Sequence, residues 1–449
     1  MISGGRAALA RTMAALCLLV VAALVPADRA AALSAQQAIF LSLAEQGATQ
    51  ARGAFKDARH GLWNGHRNVP LSWYDERLRS RIKYPLATIW GAVPLFESLA
   101  AIASADPSAA NRRALDVFAE GSHPPSNPPG ARAATAAHRA RAAGPAHSPR
   151  PRRVRAHAAS AVYYGAESYW DPAMHAFAPY PGDRGRANTW FDDNSWWGIA
   201  FVDAYRVLHK PRLLRDAQSA FDFVARRGWD ASGGGLWWNT DHSPEGQKSG
   251  EALAAGSLLG ALLAQAWQQA AASASPGARS AKEATSRRDA QTVEKFMSWG
   301  DAHFADLGGL YSRTQSDSTP MPYVAGPEIE AKELLCLRAP SNNQYCAQAS
   351  RLASAAYQRF AYRLNMGPQF DAIYLHWMLA YAQQTGDARW APMALTFAND
   401  ARANARVGSG LYLRAWDGSD MSEHQAEPNM LRTDAASVEL FGWLAAYGP

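Results

Sequence analysis

The chain has 449 residues, 48% of them apolar, which allows a large buried core and excludes a globally disordered protein. A formal charge of +6 and a pI near 9.2 suggest nucleic acid or an acidic surface as partner. Seven of those positive charges lie in one stretch, however, and removing them leaves about −1 for the rest, so neither partner is expected.

The first segment reads as an export signal over residues 1–32. Arg6 and Arg11 precede an apolar run from Met13 to Val25, and Ala30, Ala31 and Ala32 offer small residues for cleavage. The run is shorter than a spanning helix needs, and no later segment is long and apolar enough to replace it. A secreted, extracellular protein with no membrane contact after signal removal is therefore expected. Cys17 would leave with the signal. Cys336 and Cys346 remain, either as a disulfide or as two buried thiols. Neither has the spacing of a zinc site.

Helical periodicity dominates the remainder. Helices are predicted at Ala38–Asp57 and Tyr84–Ala103. Residues 121–158 then break the pattern, being rich in Pro, Ala, His and Arg, with Arg132, Arg139, Arg141, Arg150, Arg152, Arg153 and Arg155 and no acid. Val154 is the only large apolar side chain there, too little burial to offset the ordering entropy. The stretch reads as an out-of-frame translation that replaces a barrel helix, or as a genuine basic linker. Resequencing the gene distinguishes the two.

Trp196–Leu208 is apolar almost all round, and an amphipathic helix with Leu214, Ala217, Phe221 and Val224 on one stripe follows Lys210-Pro211. Phe370–Tyr381 is again apolar all round. After the turn at Gly386-Asp387, Trp390, Met393, Phe397 and Ala401 line one face of another amphipathic helix. A buried helix followed by a half-exposed one, repeated, implies an inner and an outer ring. Further helices are predicted at Gly250–Ala271, Arg288–Phe304, Tyr345–Leu364 and Ala435–Tyr447, with Ala272–Arg287 as a surface loop. The expected fold is one all-α toroid over residues 33–449, with an open solenoid as the alternative.

Two motifs could carry chemistry. Trp190-Phe191-Asp192-Asp193-Asn194-Ser195-Trp196-Trp197 sets two carboxylates side by side before a buried helix. Adjacent carboxylates repel, so one ionised group and one proton donor are expected, the pairing a retaining glycosidase needs at roughly 5 Å separation. The helix start would favour the ionised member and face the central cavity. The plainer reading is an N-cap cluster. The second motif, Gly233-Gly234-Gly235-Leu236-Trp237-Trp238-Asn239, could bring backbone close to a ligand beside two Trp, or be a surface loop. The 16 Trp residues serve either as core or as sugar-stacking platforms.

Together with Gly228-Trp229-Asp230 and the surrounding helix hairpins, these segments resemble glycoside hydrolase family 76, the endo-α-1,6-mannanases, over about Tyr84 to Gly442. The resemblance implies an (α/α)6 barrel and retaining hydrolysis of α-mannan, with Asp192 as nucleophile and Asp193 as acid/base. Substrate binding is expected from Trp190, Asn194, Gly234, Trp237 and Trp238. It implies no cofactor and no metal, and a polysaccharide as the partner of a monomer. The family also contains cell-wall mannan transglycosidases. A non-catalytic glycan-binding toroid is the alternative from another class. His242, Glu245, Glu251, Asp371 and His376 could line the cleft or be structural. No HExxH, GxSxG or Walker spacing is present.

Overall fold

The structure is a computed structural model that describes residues 33–57, 61–67, 73–75, 80–82, 86–120, 165–182, 188–242, 247–306, 308–339, 343–419 and 429–449. The proposed signal at 1–32, the stretch at 121–158 and Glu245 lie outside them.

Six helices are buried on nearly every face. They are α2 (Ile89–Ala105), α4 (Phe191–Leu208), α6 (Gly250–Ala272), α8 (Pro322–Arg338), α10 (Pro368–Thr385) and α12 (Leu431–Tyr447). Each packs on the next, and α12 packs back on α2, so the ring closes and the open solenoid is excluded. Six others lie outside it: α1 (Ala35–Ala54), α3 (Ala109–Glu120), α5 (Pro211–Phe223), α7 (Pro276–His303), α9 (Asn343–Phe360) and α11 (Trp390–Asp400). Helices α3, α5, α7, α9 and α11 pack on the inner helix just before them, and α1 packs on α12. The molecule is thus an (α/α)6 toroid. The outer ring is complete among the described residues, and 121–158 falls in sequence between α3 and α4.

Local chemistry accounts for many helix ends. Ser34 and Gln37 form a capping box on α1, and Thr88 Oγ1 and Ser249 Oγ cap α2 and α6. Proline opens α5, α7, α8 and α10, where its missing N–H costs nothing. Gly386 ends α10 in the left-handed conformation, at the expected turn.

Two expectations need correction, and one open alternative is decided. Ala272–Arg287 is not a loop: Pro276 starts α7, and buried Ser286 donates from Oγ to the Ala264 carbonyl at 2.6 Å, docking this Ala/Ser-rich helix on α6. Helices α3 and α8 are absent from the sequence reading. Helix α8 carries Pro327 and buried Glu328, Glu330, Lys332 and Glu333, a composition that looks surface-like until the ring encloses it. The Cys336–Cys346 pair is a disulfide joining the ends of α8 and α9. Among the described residues, strands are limited to three short antiparallel hairpins, β1–β2 (Lys56–Asp57, Leu62–Trp63), β3–β4 (Trp73–Asp75, Ser80–Ile82) and β5–β6 (Trp170–Asp171, Ala176–Phe177).

Candidate active site

The N-terminal turns of the inner helices meet at one end of the ring. Trp90 of α2 approaches Tyr323 of α8 and Phe370 of α10, with ring centroids 6.1 and 5.4 Å away. Tyr323 also contacts Phe370 at 5.0 Å and Trp196 of α4 at 5.8 Å. These contacts reach across the toroid and close its interior with aromatic rings.

Asp192 and Asp193 belong to the first turn of α4, two and three residues after the N-cap, which is Trp190. The helix therefore starts five residues earlier than Trp196, and the capping reading of the pair does not hold. Both side chains are buried, with 6% and 1% of their surface exposed, so they do not open onto a wide cleft. Two cavities of about 580 and 850 Å³ are lined by neither aspartate. Helix N-termini favour negative charge, which suits carboxylates at these positions.

The segment after the glycines covers Asp192. Phe191 N–H donates to the Trp238 carbonyl at 3.0 Å, and Trp190 bridges Asn239, so the segment lies along the entrance to α4. Trp238 Nε1 then donates to Asp192 Oδ2 at 3.3 Å, while its ring meets Trp190 edge-on at 4.7 Å. Arg313 lies over the Trp238 ring at 5.7 Å and pairs with Glu251 of α6 at 2.8 Å. Tyr323 donates to Glu251, and burial, with the charges of Glu251 and Asp192, pushes its hydroxyl well above the usual range. Asp192, Trp190, Trp238, Glu251, Arg313 and Tyr323 thus form one connected group.

The other expected binding residues are placed differently. Asn194 is buried, and its amide is spent on the backbone N–H and carbonyl of Phe177 and on the Trp190 carbonyl. It fixes the β5–β6 hairpin to α4. Gly234, at φ +71°, leaves no room for a Cβ, which would lie 2.5 Å from Trp299 of α7. The close approach permitted by the glycines is to α7, where Trp299 donates to the Gly233 carbonyl at 3.0 Å. Trp237 is engaged by the Lys248 ammonium 3.0 Å from its ring centre and by His242 stacked at 4.3 Å. Asp371 accepts from the Met366 and Gly367 N–H groups, and burial raises its carboxyl to about 8. His376 lies deeper in the ring.

Trp90, Arg313 and Tyr323 are absent from the sequence-derived site. A signal for two of them existed. Trp90, Asp192, Glu251 and Tyr323 are each the second residue of an inner helix, as are Gln369 and Arg432. Aligning the inner helices at their starts would have shown a ring of polar and aromatic side chains at one level.

Residues 162–273 match glycosyl hydrolase family 76, and this span holds both aspartates and the Gly-Trp segment. The match covers about a quarter of the chain, between the end of the 121–158 stretch and the end of α6. No curated protein matches the sequence closely. Solved structures share the family-76 fold at low identity. A family 76 glycoside hydrolase (mannosidase) from Bacteroides thetaiotaomicron superposes with a TM-score of 0.67 at 15% identity, over 91% of this chain and 98% of the other. An inactive variant of an α-1,6-mannanase from Salegentibacter, with two consecutive aspartates replaced by asparagine and α-1,6-mannotriose bound, gives 0.60 at 14% over 90% and 99%. Dfg5 from Chaetomium thermophilum, in complex with glucosamine, gives 0.59 at 14% over 91% and 92%.

Proposed function

We propose that the chain is a family-76 glycoside hydrolase, a secreted, retaining hydrolase of α-1,6-mannosidic bonds in α-mannan, acting as one catalytic barrel over residues 33–449 after removal of residues 1–32. The observation that carries the reading is the Asp192-Asp193 pair in the first turn of an inner helix, inside the family match and beside Trp190, Trp238 and Tyr323. Similar folds include an α-1,6-mannanase described with mannotriose bound after loss of two consecutive aspartates. Among the described residues, no helix is long and apolar enough to cross a membrane.

In the proposed reaction Asp192, held by the Trp238 N–H, attacks the anomeric carbon while Asp193 gives its proton to the leaving oxygen. A covalent glycosyl ester forms and the glycosidic C–O bond breaks. Asp193 then takes a proton from water, whose oxygen attacks the same carbon and frees Asp192. Two displacements return the starting anomeric configuration. Trp190 and Trp238 offer ring faces for a sugar, and the Glu251–Arg313–Tyr323 group supplies hydrogen-bonding partners for hydroxyls. Asn194, Gly234 and Trp237 act in this scheme by holding the site rather than by touching sugar.

The test is product analysis on linear α-1,6-mannan and defined manno-oligosaccharides, with wild type, Asp192→Asn and Asp193→Asn. Shorter products with retained anomeric configuration are expected, with each variant slowed by about 10³-fold or more. A folded wild type that binds mannan without cleaving it would establish the glycan-binding alternative. Longer products would establish transglycosylation.

A further inference from the structure

Two helical turns below the mouth, the ring holds a second layer of ionisable groups that the proposed hydrolysis does not use. Glu97, Glu330, His376 and Glu439 each lie eight residues after the first residue of α2, α8, α10 and α12. At 1.5 Å per residue this layer is about 12 Å deeper than the helix starts. All four are buried, with Asp203 and Arg206 of α4 beside them. We propose that Glu97, His376 and Glu439 bind a divalent first-row transition cation that ties α2, α10 and α12 together inside the barrel.

One donor atom from each of these three residues lies within 4.8 Å of the other two. Donors around a zinc-like ion sit roughly 3–4 Å apart, so small inward turns of the side chains complete the geometry. Neither oxygen of Glu439 nor Nε2 of His376 has a hydrogen-bond partner, and Glu97 meets only the Asp203 carboxyl. The nearest polar neighbour of Glu97, Asp203, is itself a carboxylate and offers a hydrogen only when one of the two is protonated. Buried polar atoms without partners are costly, and carboxylates more so.

Charge balance favours a cation of this valence. Arg206 bonds Asp203 at 2.9 Å and neutralises it. Glu330 accepts from Gln384 at 2.6 Å, and burial raises its carboxyl to about 8, so it is neutral near pH 7. Burial raises the Glu97 and Glu439 carboxyls well above their usual range, so a bound cation would displace their protons, and the two negative charges then formed match one divalent ion. Burial also holds His376 well below its usual range, which leaves the imidazole neutral and able to ligate. The ring is fixed by Trp443 stacked at 3.7 Å and Trp377 at 4.0 Å. A mixed imidazole and carboxylate donor set suits zinc, manganese or iron better than calcium.

Elemental analysis of the purified full chain, together with thermal unfolding before and after chelation and after Zn²⁺ is returned, tests the site. About one metal per chain, a melting temperature lowered by chelator and restored by Zn²⁺, and loss of both effects in Glu439→Gln are expected. Asp192→Asn should keep the metal, which separates this site from the proposed catalytic pair. A metal-free wild type indifferent to chelator and Zn²⁺, with Glu439→Gln equally or more stable, would mean that the layer shares protons instead, and would overturn the proposal. The metal content of the wild type decides the matter even where Glu439→Gln does not fold.

Discussion

At the scale of single residues, the informative contact is Trp238 Nε1–H to Asp192 Oδ2. A hydrogen bond to a charged group contributes about 1.5–3 kcal/mol, and here it acts on the proposed nucleophile. Trp238→Phe removes the donor and keeps an aromatic ring against Trp190. We expect kcat on α-1,6-mannan to fall about 10- to 100-fold with the melting temperature nearly unchanged. An unaltered kcat would remove Trp238 from the mechanism. Asp192, Trp190 and Trp238 stand out in the sequence because they crowd two short aromatic motifs. Asn194, Gly234 and Trp237 sit in the same motifs, yet their functional groups are consumed by Phe177, Trp299, Lys248 and His242. Apart from His242, those partners lie more than about ten residues away, and local pattern does not carry them.

At the scale of elements, the start of α6 shows how one helix sets the site. Gly250 N–H donates to the Arg313 carbonyl at 2.8 Å, and Ser249 bridges Thr314, so the helix begins against that strand-like segment. A Cβ on Gly250 would collide with the Ser312 carbonyl oxygen. Gly250→Ala must push α6 away from the segment that carries Arg313, separating Arg313 from Glu251. A lower melting temperature and a loss of kcat greater than a stability change alone would cause are expected, measured on the folded fraction. Wild-type activity in that variant would show that Glu251 and Arg313 need no fixed placement. Helix α8 makes the complementary point. Its Lys332 bonds Asp301 at 2.6 Å and its Glu328 accepts from the Tyr311 N–H at 3.2 Å, so charged residues are buried with partners from α7 and the loop after it. Periodicity of apolar residues does not reveal a helix of that kind.

For the whole molecule, the seam where the inner ring closes is covered by the first outer helix, which packs on the last inner one. Phe40 of α1 stacks on Phe441 of α12 with centroids 6.1 Å apart and is 2% exposed. Ser34 Oγ donates to the Pro449 carbonyl at 2.9 Å, and Gln37 Nε2 to the Gly448 carbonyl at 2.9 Å, so the two ends of the described chain meet. Phe40→Ala should cost about 3–5 kcal/mol. In a closed ring that loss is expected to lower one cooperative unfolding transition seen by calorimetry. Fraying of α1 alone, with the main transition unmoved, would mean that the seam is independent of the rest.

The alternation of wholly buried and amphipathic helices, the turn at Gly386 and the aspartate pair in its aromatic setting were all determined by the sequence itself. They depend on residues within a few helical turns of one another, where spacing and side-chain type suffice. Only the tertiary structure decided that Trp90, Asp192, Glu251 and Tyr323 share one level, that Asn194 meets Phe177 and Gly234 meets Trp299, and that Glu97, His376 and Glu439 converge. Those relations join residues up to several hundred positions apart. They exist because the ring closes and brings equal heights of six helices into one layer.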